Sequence, residues 1–240
     1  MLNLENIDLI AISSDKPRET IKSLKYTMLN IKFDKVKFLT HVDKTDYADL
    51  DIDNIEFIKI DEITSHRQYN DFCLQLSKYS ENEYILIVQN DSFVTNKELW
   101  CSEFLEYDYI GAPWTEKSAS EWGIPNRVGN GGFSLRSKKF LEYSSKFTTC
   151  SGINEDGFLT NFTLNYATQF GIKYAPVDLA YKFSVEIPNP DDTYDPSKHF
   201  GFHGNYLYEI AESYLQKKNK LSNVEEDFDD NHLDLINEGC

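Results

Sequence analysis

The segment Tyr84–Val88, an unbroken apolar run closed by Gln89-Asn90-Asp91, constrains the fold more than any other part of this sequence. A run of that length and composition suits a strand buried on both faces, the kind found in parallel sheets covered by helices. Ile7–Ile12 reads the same way, and Pro17 suits the first turn of a helix running to about Asn30. Val36–Thr40 and Ile55–Ile60 are short strand-like runs, and helical spacing across Tyr69–Tyr79 puts Phe72, Leu76 and Tyr79 on one side. Strand–helix–strand order over this stretch predicts an α/β fold with a doubly wound, mainly parallel sheet and a ligand crevice at the carboxyl ends of its strands. Beyond Asp91 the pattern turns irregular, with a helix expected near Asn154–Ala167 and a last one near Tyr206–Lys217.

Charge narrows the partners. With 40 Asp and Glu against 24 Lys and Arg, the net charge of −16 argues against nucleic acid and against anionic membrane surfaces. A phosphorylated ligand must then be held locally, by a helix N-terminus, a few basic groups or a metal ion. No run of about 18 apolar residues is present to span a bilayer. No secretory signal is evident and the cysteines stand singly, so a cytoplasmic chain with reduced thiols is expected. From Ser222 to Cys240 there are seven acids and no Lys or Arg. One domain over 1–215 followed by a loose acidic tail over 216–240 is expected, with the Leu233, Leu235 and Ile236 cluster as the alternative by which the tail would dock.

Four places carry candidate chemistry. At Gln89-Asn90-Asp91 a buried strand ends in polar side chains, where a carboxylate can bind a hard divalent ion that clamps a diphosphate, or can simply close a turn. Gly129-Asn130-Gly131-Gly132 lets backbone approach a ligand closely or turn tightly into Phe133–Leu135; it lacks the Lys-Ser/Thr of a phosphate loop. Glu155-Asp156 precede an apolar helix, as caps or as a general base. His199 and His203 lie among glycines and aromatics, in a setting that suits a metal ligand.

Taken in order, Ser65–Asn70, Tyr84–Val94, Tyr107–Trp114, Gly129–Arg136, Glu155-Asp156 and Phe200–Gly204 resemble GT-A fold glycosyltransferases over roughly residues 7–215. The likeness is to an uncharacterised bacterial and viral family and, more distantly, to the Fringe and beta-1,3-galactosyltransferase type. It implies a nucleotide-sugar donor, a UDP-sugar first, a glycan or other hydroxyl acceptor, and inverting transfer assisted by Mn²⁺ or Mg²⁺. It implies Asp91 and His203 as metal ligands, with Gln89 and Asn90 standing where acids are usual, which weakens the electrostatic hold on the ion. Ala11, Ser13, Arg67, Asn70, Asn90 and Asp91 are implied on the donor side, and Trp114, Gly131 and Gly132 on the acceptor side. Asp156 is implied as the catalytic base, with Glu155 its neighbour and rival. Trp122 offers a second ring on which a sugar can stack. Two other classes stay open: a catalytically inactive sugar-binding protein of the same fold, and a glycoside hydrolase using Asp91 and Asp156.

Overall fold

The computed structural model describes residues 1–186 and 193–233. Its strands are β1 (Leu2–Leu4), β2 (Ile7–Ile12), β3 (Ile31–Phe33), β4 (Val36–Thr40), β5 (Glu56–Lys59), β6 (Tyr84–Val88), β7 (Ser92–Val94), β8 (Tyr109–Gly111), β9 (Phe133–Ser137), β10 (Ser184–Val185) and β11 (Gly201–His203). Six of them form the central sheet in the order β5-β4-β2-β6-β9-β8. The first four of that order run parallel, β9 is antiparallel to β6, and β8, antiparallel to β9, runs in the direction of the first four. Counting along the chain, the parallel part has the 3-2-1-4 order of a doubly wound sheet, and the order reverses between β2 and β6.

Alternation along the strands sorts the core. Leu9, Ala11, Leu86 and Val88 face one side, with Ile21 and Leu24 of α1 (Pro17–Thr27). Ile10, Ile12, Ile85 and Ile87 face the other, with Cys73 of α2 (His66–Cys73). Both faces are covered, which is why these strands read as continuous apolar runs. The helix expected over Tyr69–Tyr79 instead starts at His66, because Ser65 accepts a hydrogen bond from the Gln68 amide (3.3 Å) and caps it.

The remaining helices are α3 (Glu116–Trp122), α4 (Lys138–Ser144), α5 (Glu155–Gly157), α6 (Leu164–Phe170), α7 (Val177–Phe183) and α8 (Asn205–Leu233). The helix expected at Asn154–Ala167 is divided: α5 passes into a π-helical turn over Phe158–Phe162 before α6. α8 continues to Leu233, well past Lys217. Leu235 and Ile236 lie outside the described residues. Among the described residues, no helix is long and apolar enough to cross a membrane.

A second, small sheet has the order β10-β11-β7, with β11 antiparallel to β7. β7 begins directly after Asp91 and its partner ends at His203, so register pairs His203 with Ser92. The Gly204 amide, from a backbone with φ of +125°, donates to the Asp91 carbonyl (3.0 Å) and closes the junction. This pairing brings the late histidine to the edge of the sheet where β6 ends.

Candidate functional site

A cleft of about 550 Å³ opens at the carboxyl ends of β2 and β6, where the strand order reverses. Ser13, Lys16, Tyr69, Gln89, Asn90 and Asp91 are among the residues that line it. A larger hollow of about 640 Å³ lies at the opposite, amino ends of β4 and β5, away from the point where the strand order reverses.

Gln89 and Asp91 of the cleft lining contact His203, which does not itself line the cleft: its Nε2 stands 3.0 Å from Gln89 Oε1 and 3.4 Å from Asp91 Oδ1. Its Nδ1 meets Glu186 Oε1 at 3.2 Å. Burial pulls the imidazole pKa down, but hydrogen bonds to Asp91 and Glu186 outweigh it and raise the value to about 9. For Asp91, burial works upward and the His203 hydrogen bond works downward; the net result is a lowered pKa. Gln89 is oriented by Tyr69: its Nε2 donates to the Tyr69 hydroxyl (2.7 Å), which leaves Oε1 turned toward His203.

Gly132 packs against this histidine so closely that a Cβ there would lie 2.2 Å from His203 Nε2. The neighbouring Gly131 amide donates to Asp156 Oδ2 (3.2 Å), and the Gly157 amide donates to Asp156 Oδ1 (2.6 Å). Burial is the main reason the Asp156 pKa rises, to about 6, with the Glu155 charge adding to it and the two amides opposing it. The glycine loop therefore joins the cleft to the carboxylate, His203 touching one glycine and Asp156 the next. The dipole of a helix start does not hold this carboxyl low, because α5 is only three residues long before the π-helical turn.

The other sequence-predicted residues fall in different places. Ser13, Asn90 and Asp91 line the cleft; Ala11, Arg67 and Asn70 do not. Ala11 points into the core with Leu9 by strand alternation. On α2 the face toward the cleft is His66 and Tyr69, three residues apart, which turns Arg67 and Asn70 away. Arg67 is exposed and pairs with Asp71 (3.9 Å), while buried Asn70 accepts from the Glu155 amide (3.2 Å). Glu155 is not open to a substrate: it is buried and ion-paired to Arg136. Trp114 is 7% exposed and packs on Gly129, so Trp122, 58% exposed, is the indole with an open face. Tyr69, Lys16 and Glu186 were not anticipated as site residues, and Gln89 was marked only as standing where an acid is usual. Of these, Gln89 had a readable signal, its place in the polar turn that closes β6 next to Asp91.

No curated protein matches the chain. Solved structures do. The galactosyltransferase LgtC, in complex with donor and acceptor sugar analogues, superposes with a TM-score of 0.50 at 12% identity, over 87% of this chain and 94% of that one. An active-site mutant of LgtC gives 0.50 at 14% identity, over 82% and 86%. The apo form of the glycosyltransferase GlyE of Streptococcus pneumoniae gives 0.51 at 11% identity, over 87% of this chain and 59% of that one. These likenesses establish the GT-A fold, a single mixed α/β domain with a mainly parallel sheet flanked by helices. At the level of sequence, the profile described as "Protein of unknown function (DUF5672)" matches residues 53–203, more than half of the chain, and the chain belongs to the DUF5672 family.

Proposed function

We propose that this protein is a glycosyltransferase that moves a sugar from a nucleotide-sugar donor, a UDP-sugar first, to a hydroxyl acceptor with inversion. The observation that carries the reading is the junction at the glycine loop: Gly132 packs on a His203–Asp91–Gln89 cluster in the cleft, and Gly131 holds a carboxylate whose pKa lies near 6. The GT-A fold supports it, as does LgtC, which was crystallised with donor and acceptor analogues.

The donor sits in the cleft against Ser13, Asn90 and Asp91, with Lys16 at the start of α1 supplying positive charge to the diphosphate. The residues fit a divalent ion. Ligands held at ~2.0–2.6 Å on one ion stand roughly 3 Å from one another, and Gln89 Oε1 and Asp91 Oδ1 lie at such distances from His203 Nε2. Among the described residues no three His, Cys, Asp or Glu side chains are grouped so as to hold a metal ion, so the third donor here would be the Gln89 amide oxygen. Glu186 on Nδ1 is the outer carboxylate that orients a ligating imidazole, and a cation on Nε2 has to displace a proton. Mn²⁺ or Mg²⁺ in this place supplies positive charge against the leaving diphosphate. Asp156 takes the proton of the acceptor hydroxyl. That oxygen bonds to the anomeric carbon as the bond from carbon to diphosphate oxygen breaks, and the diphosphate leaves with the electron pair.

A thermal-shift screen of nucleotide sugars with Mn²⁺ tests the reading, since a ligand at about 100 times its Kd stabilises by about 2.7 kcal/mol. Stabilisation by one donor class, followed by turnover, is expected. Binding without turnover points to the inactive sugar-binding alternative, and glycan cleavage without any nucleotide sugar points to a hydrolase. Asp91→Ala and His203→Ala are each expected to weaken Mn²⁺-supported nucleoside diphosphate binding more than about tenfold, or about 1.4 kcal/mol by calorimetry. Equal loss with and without metal would remove the ion from the account.

The working unit is taken as residues 1–215, with 216–240 appended. Truncation after Leu221 keeps the buried Leu215 and the Lys218 bond to Asn96 (2.9 Å). It should move Tm by less than about 3 °C, under about 1 kcal/mol. A larger drop would make the acidic end part of the fold.

A further inference from the structure

Glu155 and Asp156 are adjacent carboxylates in opposite settings. Glu155 is 5% exposed and its Oε1 contacts Arg136 Nη1. Arg136, 1% exposed, projects from β9 with its guanidinium 5.4 Å from the Tyr109 ring centroid and 6.0 Å from that of Phe140. Its Nε donates to Ser134 Oγ (3.0 Å) and its Nη2 to the Gly131 carbonyl (3.4 Å), which also accepts from Ser134 Oγ (2.9 Å). The nitrogen of Gly131 donates in turn to Asp156. Tyr109 secures the same loop from beneath, its hydroxyl 2.7 Å from the Gly129 carbonyl and 3.0 Å from that of Asn130. A Cβ at Gly131 would lie 3.0 Å from Arg136 Nη2 and 3.1 Å from both Asp156 Cβ and Glu155 Oε2. The glycine is thus enclosed by the ion pair and Asp156 together.

Stability alone does not account for the pair. Two charges withdrawn from water lose hydration, and well-packed apolar residues of similar volume stabilise a core as well or better. What apolar residues cannot do is spread N–H groups over a carboxylate, a hydroxyl and a peptide carbonyl at once, as Arg136 does with Glu155, Ser134 and Gly131.

We propose that Arg136 and Glu155 are positioning residues that clamp Gly131 onto Asp156, fixing the direction in which the Asp156 carboxylate meets the acceptor hydroxyl. This rests on the reading of Asp156 as the base. The charged groups facing Asp156 are Glu155 from its own segment and Glu186 from the segment after β10, with Arg136 reaching it through Gly131. His203, against Gly132, is itself bound by Glu186. The clamp therefore also keeps a negative charge beside the base, and its removal should move the Asp156 titration downward.

The test compares the full-length wild type, an Arg136→Met/Glu155→Gln double variant that removes both charges at similar volume, and Arg136→Lys, which keeps the charge and loses the fork. Three quantities are read: amide hydrogen exchange at Gly131, the Asp156 midpoint by carbon NMR of its carboxyl, and kcat against KM. The double variant is expected to fold cooperatively, exchange Gly131 at least about tenfold faster, and titrate Asp156 below the wild type. Its kcat should fall by about tenfold or more with donor KM unchanged. Arg136→Lys should keep the wild-type midpoint while Gly131 exchanges faster. Wild-type exchange and an unmoved midpoint in the double variant would overturn the proposal. So would its failure to fold, which would make the pair a folding element. If the wild type turns over no nucleotide sugar, the transferase reading fails separately, because exchange and midpoint still decide the clamp.

Discussion

Replacing Asp156 with Asn is expected to lower kcat by about 10²–10⁴-fold and to leave donor affinity near that of the wild type. The side chain keeps its shape, its one amide oxygen can still accept from one of the two amides that Asp156 binds, Gly131 or Gly157, and the loop stays held through the Gly131 carbonyl by Ser134 and Arg136. What disappears is the acceptor for the hydroxyl proton, a loss felt in the transition state and not in the ground state. The wild-type pH profile follows from the same group. A pKa raised to about 6 leaves Asp156 protonated and inactive below that value and ionised above it. The rate should therefore climb through about pH 6 and level off on the alkaline side, and that limb should be absent from the residual activity of Asp156→Asn. Glu155→Gln should not reproduce this pattern, because Glu155 faces Arg136 and not the acceptor. Retention of anomeric configuration in the product would exclude the single displacement.

The largest effect on stability is expected at the far end of the sheet, at Lys37→Met. Lys37 and Asp8 are both buried and ion-paired across neighbouring strands β4 and β2. Lys37 Nζ also donates to the Tyr79 carbonyl (2.7 Å), while Asp8 accepts from Ser80 Oγ (2.7 Å) and Asn82 Nδ2 (2.7 Å). Removing the ammonium leaves a buried carboxylate with its hydrogen bonds but no counter-charge, a loss of about 3–5 kcal/mol. At about 2–4 °C per kcal/mol for a domain of this size, Tm should fall by roughly 6–20 °C. A drop of under about 3 °C would mean that Ser80 and Asn82 alone satisfy Asp8.

Legibility in the sequence followed the physics of burial. Ile7–Ile12, Val36–Thr40 and Tyr84–Val88 occur as strands at those residues because a strand covered on both faces has no polar side to blur the pattern. Asp8, inside the first of them, gave no sign that Lys37 would pair with it. β8 and β9 were harder, since short strands on either side of a glycine loop carry little periodic signal; Arg136, within β9, reads as an exposed position until Glu155 is placed beside it. In the candidate site, Asp91 and His203 each stood out by residue type, but their meeting depends on β7 pairing with β11, a contact distant in sequence. The choice between Glu155 and Asp156 likewise turns on which of two neighbours finds Arg136. Arg67 and Asn70 drew attention by chemistry, and helical rotation turned them away in favour of Tyr69.

The most direct measurement is amide chemical-shift mapping of the full-length protein with UDP, GDP, ADP and CDP in turn, each with Mg²⁺. The expected result is saturable perturbation by one of them at Ser13–Lys16, Gln89–Asp91 and His203, spreading to Gly131-Gly132 and weakened by Asp91→Ala. No response to any nucleotide, or perturbation confined to Ile31–Val36 and Asp53–Glu56 around the hollow at the other end of the sheet, would contradict a donor site in the cleft.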